Sequence, residues 1–314
     1  MSFEIHEFTA LSTDKIHTLT GRVYRPIGEI KGYFQVVHGM AEHIARYDSF
    51  MSKMADAGWL CFGYDHLGHG KTATDDTELG FIASKGGASL LISDVNAFYE
   101  AVAKHYSKTD DQPYVLMGHS MGSFLSRLYV EKYPNSVSGH IIHGTGGPLG
   151  AAVPMGIGLV DLIMFFRGTK HRSELVKSIA FAGYNSHFPK SEGRNAWLTR
   201  DIAAVSDRSE NPYTNFTFTV SAYKELFAMV GKSNSKSWFA SYPKQLKTLI
   251  LSGDEDPVGQ YGNGVRYVYK QLLLAGAEDV SMKIYEGARH ELFNETNKDE
   301  VFSDMENWLD RIFK

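Results

Sequence analysis

The sequence predicts an α/β protein built on a mostly parallel sheet of eight strands flanked by helices. Three observations predict it. Short apolar runs alternate with helical patterns through most of the chain, as strand–helix–strand crossovers require. Several of these runs are apolar on successive residues rather than on every second one, which suits strands buried on both faces. Two strand-like segments at the N-terminus have no helix between them, which suits an antiparallel pair at a sheet edge.

In chain order, the pair is Glu4 to Phe8 and Leu19 to Tyr24, joined by a polar turn and closed by Pro26. The six runs that follow are Tyr33 to Val37, Trp59 to Tyr64, Tyr114 to Met117, Ile141-Ile142, Thr248 to Leu251 and Ser281 to Tyr285. A helix over Arg46 to Ala57 stops at Gly58, a residue that closes helices at no steric cost. Leu90, Leu91, Val95, Phe98, Tyr99 and Val102 share the face of another, and Val301, Met305, Trp308, Leu309 and Ile312 that of the last. The alternation breaks between 148 and 240, a stretch without a convincing strand. It reads as a mainly helical insertion after the sixth strand, dividing the chain into a core of residues 1–147 and 241–314 and an insertion of 148–240.

Composition narrows the function. With 43% hydrophobic and 22% charged residues over 314 positions, the chain can bury a core. A net charge of -4 without a Lys/Arg cluster gives no site for nucleic acid. Cys61 is the single cysteine, sits in an apolar run and reads as a core residue, so neither an intrachain disulfide nor a cysteine zinc site is expected. The N-terminus lacks the basic and apolar regions of a signal peptide. The one long apolar stretch, 148–166, is interrupted by Pro154, three glycines and Asp161 and makes a poor membrane span. A cytoplasmic location is expected.

The chemistry lies in loops after strands. Gly118-His119-Ser120-Met121-Gly122 follows an apolar run and precedes a helical face of Phe124, Leu125, Leu128 and Tyr129. Strand, sharp turn and helix are what a nucleophile elbow needs. A serine hydroxyl needs a base to take its proton and a third group to hold that base. After the Thr248–Leu251 run come Asp254, Glu255 and Asp256, and after the Ser281–Tyr285 run comes His290. Position alone leaves the acid open among the three, with Asp256 favoured because Pro257 keeps it out of the helical region. The oxyanion hole calls for backbone N–H groups: one from Met121, after the nucleophile, and one from Met40 in the loop after Tyr33–Val37. His38, His43, His66 and His69 have no matched third ligand and are expected to hydrogen-bond the loops that frame the site. Most other histidines are expected at the surface or in caps. No G-x-G-x-x-G follows a strand, so no dinucleotide cofactor is expected, nor any metal.

These segments resemble the monoacylglycerol lipase and lysophospholipase branch of the α/β-hydrolases, sometimes grouped with the serine aminopeptidases. HGMAEHIARYDSF is similar to the family's oxyanion loop, FGYDHLGHGKT to its YD-x-RGHG-x-S segment, with Leu67 and Thr72 replacing the usual Arg and Ser, and GHSMGSFLSRLYVEKYP to its elbow and helix. LSGDEDPVG and YEGARHELFNE are similar to its acid and histidine loops. The resemblance implies an α/β-hydrolase fold, a catalytic set of Ser120, Asp256 and His290, and a helical cap over 148–240. It settles the acid on Asp256, the fourth position of G-x-x-D. It implies a carboxylic ester hydrolase acting on monoacylglycerols, lysophospholipids or related small acyl esters. An amide or thioester hydrolase with the same triad, and a non-catalytic binding protein on the same fold, are the competing readings. The apolar residues between Met155 and Phe166 are expected to pack on the core or line an acyl pocket, with transient contact to a lipid surface as a further role.

Overall fold

The computed structural model describes residues 2–313, with the backbone alone at 207 and 209. Eight strands form one sheet: β1 (Phe3–Leu11), β2 (Thr18–Pro26), β3 (Gly32–Val37), β4 (Trp59–Tyr64), β5 (Tyr114–His119), β6 (Gly139–His143), β7 (Lys247–Gly253) and β8 (Val280–Tyr285). Their order across the sheet is β1-β2-β4-β3-β5-β6-β7-β8. β2 pairs antiparallel with both β1 and β4, and every other pair is parallel. The N-terminal pair therefore lies at the edge, as the missing crossover helix demands.

Strand residues divide by parity between two cores. Leu116, Ile142 and Ile250 face one side, where α2 (Gly87–His105), α3 (Met121–Lys132) and α9 (Asn263–Leu274) cover them. Met117, Ile141 and Leu249 face the other, under α1 (Asp48–Asp56) and α10 (Lys298–Ile312). β3, β4, β5 and β6 are buried at every position, which is why they read as continuous apolar runs. Cys61 is buried among them.

Five helices lie between β6 and β7: α4 (Ala152–Arg167), α5 (Glu174–Ala180), α6 (Ile202–Glu210), α7 (Val220–Ser233) and α8 (Lys236–Ser241). α7 packs on α4 at one side and on α2 and α3 at the other, while the Trp238 indole on α8 donates to the Arg127 carbonyl of α3 at 2.8 Å. Among the described residues no helix is long and apolar enough to cross a membrane. The apolar residues of α4 meet the expectation in part: Leu159, Val160, Ile163 and Met164 pack on the core cluster. Only Val160 is fully buried, Met155, Leu162, Phe165 and Phe166 are exposed, and none from Met155 to Phe166 lines the large cavity described below. The helix leans on α7 with one face, and the side chains of the opposite face stand in solvent.

The parallel register sets Val37 beside Gly118, His119 beside His143 and Gly253 beside Tyr285. The loops after β3, β5, β7 and β8 therefore open along one edge, the carboxyl edge where open α/β sheets place their ligands.

Candidate active site

Ser120 stands between β5 and α3 with φ 54° and ψ -119°, a backbone conformation that L-residues rarely adopt. The turn is held by the Ser120 N–H donating to the His143 carbonyl at 3.0 Å. It is tight enough that a Cβ at Gly122 would run into the Val37 carbonyl and one at Gly118 into the Gly122 carbonyl. Both glycines of the motif are thus required by close backbone approach.

His290 follows β8, and its Nδ1 lies 2.9 Å from Asp256 Oδ2. Asp256 is fully buried, and its other oxygen accepts the Val258 N–H at 2.8 Å. With Nδ1–H donating to the carboxylate, Nε2 is left as the acceptor. Asp254 serves a different purpose, accepting the Gly287 N–H at 2.7 Å and bracing the acid loop against the histidine loop. The insertion also holds the histidine loop. The Glu291 N–H donates to the Leu198 carbonyl at 2.7 Å, and the Trp197 ring packs 5.0 Å from the His290 ring.

Met40 and Met121 flank Ser120. A Cβ at Gly39 would fall 3.0 Å from Ser120 Cβ, a measure of how closely the loop after β3 approaches the nucleophile. The backbone N–H groups of Met40 and Met121 have no acceptor among the described residues. Ser120, His290, Met40 and Met121 all line one cavity of about 310 Å³, with Phe124, Ile179, Phe181, Leu226 and Phe227 supplying apolar walls. Asp256 sits behind His290, outside that lining. The five residues singled out in the sequence thus lie at one place, Ser120, His290, Met40 and Met121 around the cavity and Asp256 behind His290.

Residues 28–297 match the family model described as serine aminopeptidase, S33. The chain belongs to the S33 family of α/β-hydrolases. It is 26% identical over 296 residues to the monoglyceride lipase homolog of monkeypox virus, covering 92% of each chain. It is 24% identical to the monoacylglycerol lipase of Mycolicibacterium smegmatis, covering 91% of each. Among solved structures it superposes on a thermostable carboxyl esterase from Bacillus coagulans in complex with glycerol, with a TM-score of 0.91, 28% identity and 99% of both chains covered.

Around this S33 site lie buried groups that sequence reasoning did not assign. The Glu42 carboxylate accepts the Gly39 N–H, the Tyr47 hydroxyl at 2.9 Å and Arg46 Nη1 at 2.7 Å. Arg46 also grips Glu291 with two hydrogen bonds, of 2.9 and 2.7 Å, and Arg208 on α6 reaches Glu291 at 3.0 Å. Burial would raise the Glu291 carboxyl, but the two guanidiniums overcome it and hold it far below the usual carboxylate range. Glu42, His119 and Glu291 bring ligand atoms within 4.8 Å of one another. Their carboxylates already face two guanidiniums, which opposes a further cation. Glu42 and Arg46 stand within the HGMAEHIARY segment, so their presence was visible, while their burial was not.

The histidines partly depart from expectation. His38, His66 and His69 do brace loops: His38 Nε2 accepts the His66 N–H at 3.0 Å, and His69 Nε2 accepts the Ala41 N–H at 3.3 Å. His119, His140 and His143 are buried rather than exposed. Nδ1 of His119 and Nδ1 of His143 lie 2.6 Å apart, and burial followed by mutual repulsion drives the His119 imidazole well below its ordinary value. The His119 ring, 4.7 Å from that of His290, is therefore held neutral.

Proposed function

We propose that this chain is a serine-dependent carboxylic ester hydrolase acting on monoacylglycerols or related acyl esters, with the insertion as a cap over the site. One observation carries the reading: the Asp256–His290 hydrogen bond sits at the edge of the cavity that holds Ser120 on a strained elbow. Ser120 Oγ attacks the ester carbonyl and passes its proton to His290 Nε2. The Asp256 carboxylate stabilises the imidazolium, and the Met40 and Met121 N–H groups receive the oxyanion. His290 then gives the proton to the leaving alcohol oxygen, and the same base activates water to release the acid from the acyl-enzyme.

The cavity lining argues for an acyl chain over a peptide. Its two carboxylates, Glu42 and Glu291, are engaged by Arg46 and Arg208, which leaves no unpaired acid among the described lining residues to receive an N-terminal ammonium. Monoglyceride and monoacylglycerol lipases among the relatives support the same substrate class. The exposed apolar side of α4 is assigned a transient contact with lipid surfaces, from which such substrates are drawn.

The test is Ser120→Ala against wild type, read by labelling with a fluorophosphonate probe and by turnover of p-nitrophenyl esters from acetate to palmitate and of a monoacylglycerol. Both signals should vanish in the variant. Equal ester hydrolysis by the variant excludes Ser120 as nucleophile, and faster cleavage of an aminoacyl amide than of any ester would move the chain to the peptidase reading.

A further inference from the structure

We propose that Arg208, carried on α6 of the insertion, is a positioning residue that holds the oxyanion loop in its donor geometry. The inference rests on the catalytic reading above. Ala41, next to the donor at Met40, has φ 51°, in the left-handed region that disfavours a side chain. Such a turn persists only where its surroundings over-determine it. Two of its restraints come from the core domain: Glu42 takes the Gly39 N–H, and His69 takes the Ala41 N–H at 3.3 Å. The third is Arg208, whose Nη2 donates to the Ala41 carbonyl at 3.2 Å and reaches the Met40 carbonyl at 3.5 Å. Arg208 thus takes the carbonyls of both peptides flanking Ala41, and His69 takes the N–H of the first.

Arg208 does this while bound to Glu291, the residue after the base. Glu291 holds Arg46, Arg46 holds Glu42, and Glu42 holds Gly39, so one ionic chain links α6, the histidine loop and the oxyanion loop. The network contains two carboxylates and two guanidiniums. Removing Arg208 leaves an uncompensated buried negative charge beside the cavity, where the oxyanion develops, and that opposes the transition state more than the neutral substrate. A second contact has the same orientation: Asn211 Nδ2, just past α6, lies 3.2 Å from His43 Nε2 on the same loop.

The test compares Arg208→Met and Arg208→Lys with wild type and Ser120→Ala. It measures the final fraction of protein labelled by a fluorophosphonate, kcat and KM for p-nitrophenyl butyrate, and the Ki of an alkyl trifluoromethyl ketone, whose tetrahedral adduct presents an oxyanion. Arg208→Met should label completely, lose about 10–100-fold in kcat with KM within about threefold, and bind the ketone more weakly by a factor similar to the kcat loss. Arg208→Lys should regain part of both losses, because it restores the charge without the fork. A kcat loss matched by an equal loss of labelled protein, or an unchanged Ki, gives Arg208 a merely structural role and overturns the proposal. A wild type that neither labels nor turns over ester removes the catalytic reading and this inference with it.

Discussion

Ser120 combines the proposed role of nucleophile with a backbone position suited to glycine, so removing its side chain separates strain from chemistry. Ser120→Gly and Ser120→Ala should be equally inactive, but the glycine variant should be about 1 kcal/mol more stable, because only it relieves the φ 54° conformation. Urea unfolding of the two proteins measures this; an alanine variant at least as stable as the glycine one would remove the strain argument. Asp256 carries a second expectation. Asp256→Asn keeps the volume but cannot hold the imidazole with Nε2 free, and kcat should fall about 10³–10⁴-fold with little change in KM. A loss below about tenfold would mean that another group orients His290. At this scale Ser120, His290 and the group of acids were legible because each follows a strand-like run, whereas position only modestly favoured Asp256 over Asp254 and Glu255. Which of Asp254 and Asp256 turns inward depends on side-chain directions two residues apart in a tight loop.

The strand–turn–helix unit of β5 and α3 is the element that places Ser120, and its tolerance is set by backbone contact. Gly122→Ala drives a Cβ into the Val37 carbonyl of β3 and should cost about 1–3 kcal/mol while displacing the elbow. Thermal unfolding together with fluorophosphonate labelling checks both effects, and a variant with wild-type stability and labelling would show that α3 can shift freely. β3 to β6 were legible because burial on both faces leaves them mainly apolar, with Gln35, His119, His140 and His143 as buried polar exceptions. The helices between β6 and β7 were legible only as a region lacking strands. α4 is apolar almost all round, yet it buries Val160 alone completely, so periodicity gave no clue to the face it presents.

Over the whole molecule, the buried imidazoles predict acid sensitivity. Burial drives His66, His140 and His143 down to about 3 and His69 to about 4, and carries His38 and His119 well below their ordinary 6.5. Unfolding frees these groups to take up protons below pH 6.5, so the unfolded chain binds more protons and stability falls as pH drops from 6.5 toward 4. Asp65 works in the opposite sense. Burial raises it to about 6, so between pH 3.8 and 6 the folded chain holds one extra proton and offsets one histidine. The melting temperature should fall steadily between pH 7 and pH 5, and a profile flat within about 2 °C would contradict the burial of these rings. The exposed end of α4 carries the other expectation at this scale. Replacing Phe165 and Phe166 together by Ser should reduce co-sedimentation with phospholipid vesicles several-fold and leave hydrolysis of a soluble short-chain ester unchanged. Equal sedimentation of both proteins would rule out α4 as the contact.

Local sequence by itself determined the strands, the elbow, the order of nucleophile, acid and base, and the family to which they belong. Each of these is written in neighbouring residues: apolar runs, glycines at a tight turn, a polar loop after each strand. Tertiary structure alone decided which histidines are buried, that Glu42, Arg46, Glu291 and Arg208 form one ionic network, and that Met155, Leu162, Phe165 and Phe166 of α4 face solvent. Such pairings join residues from separate loops, and their energies depend on burial and distance, which a linear chain specifies only once it has folded.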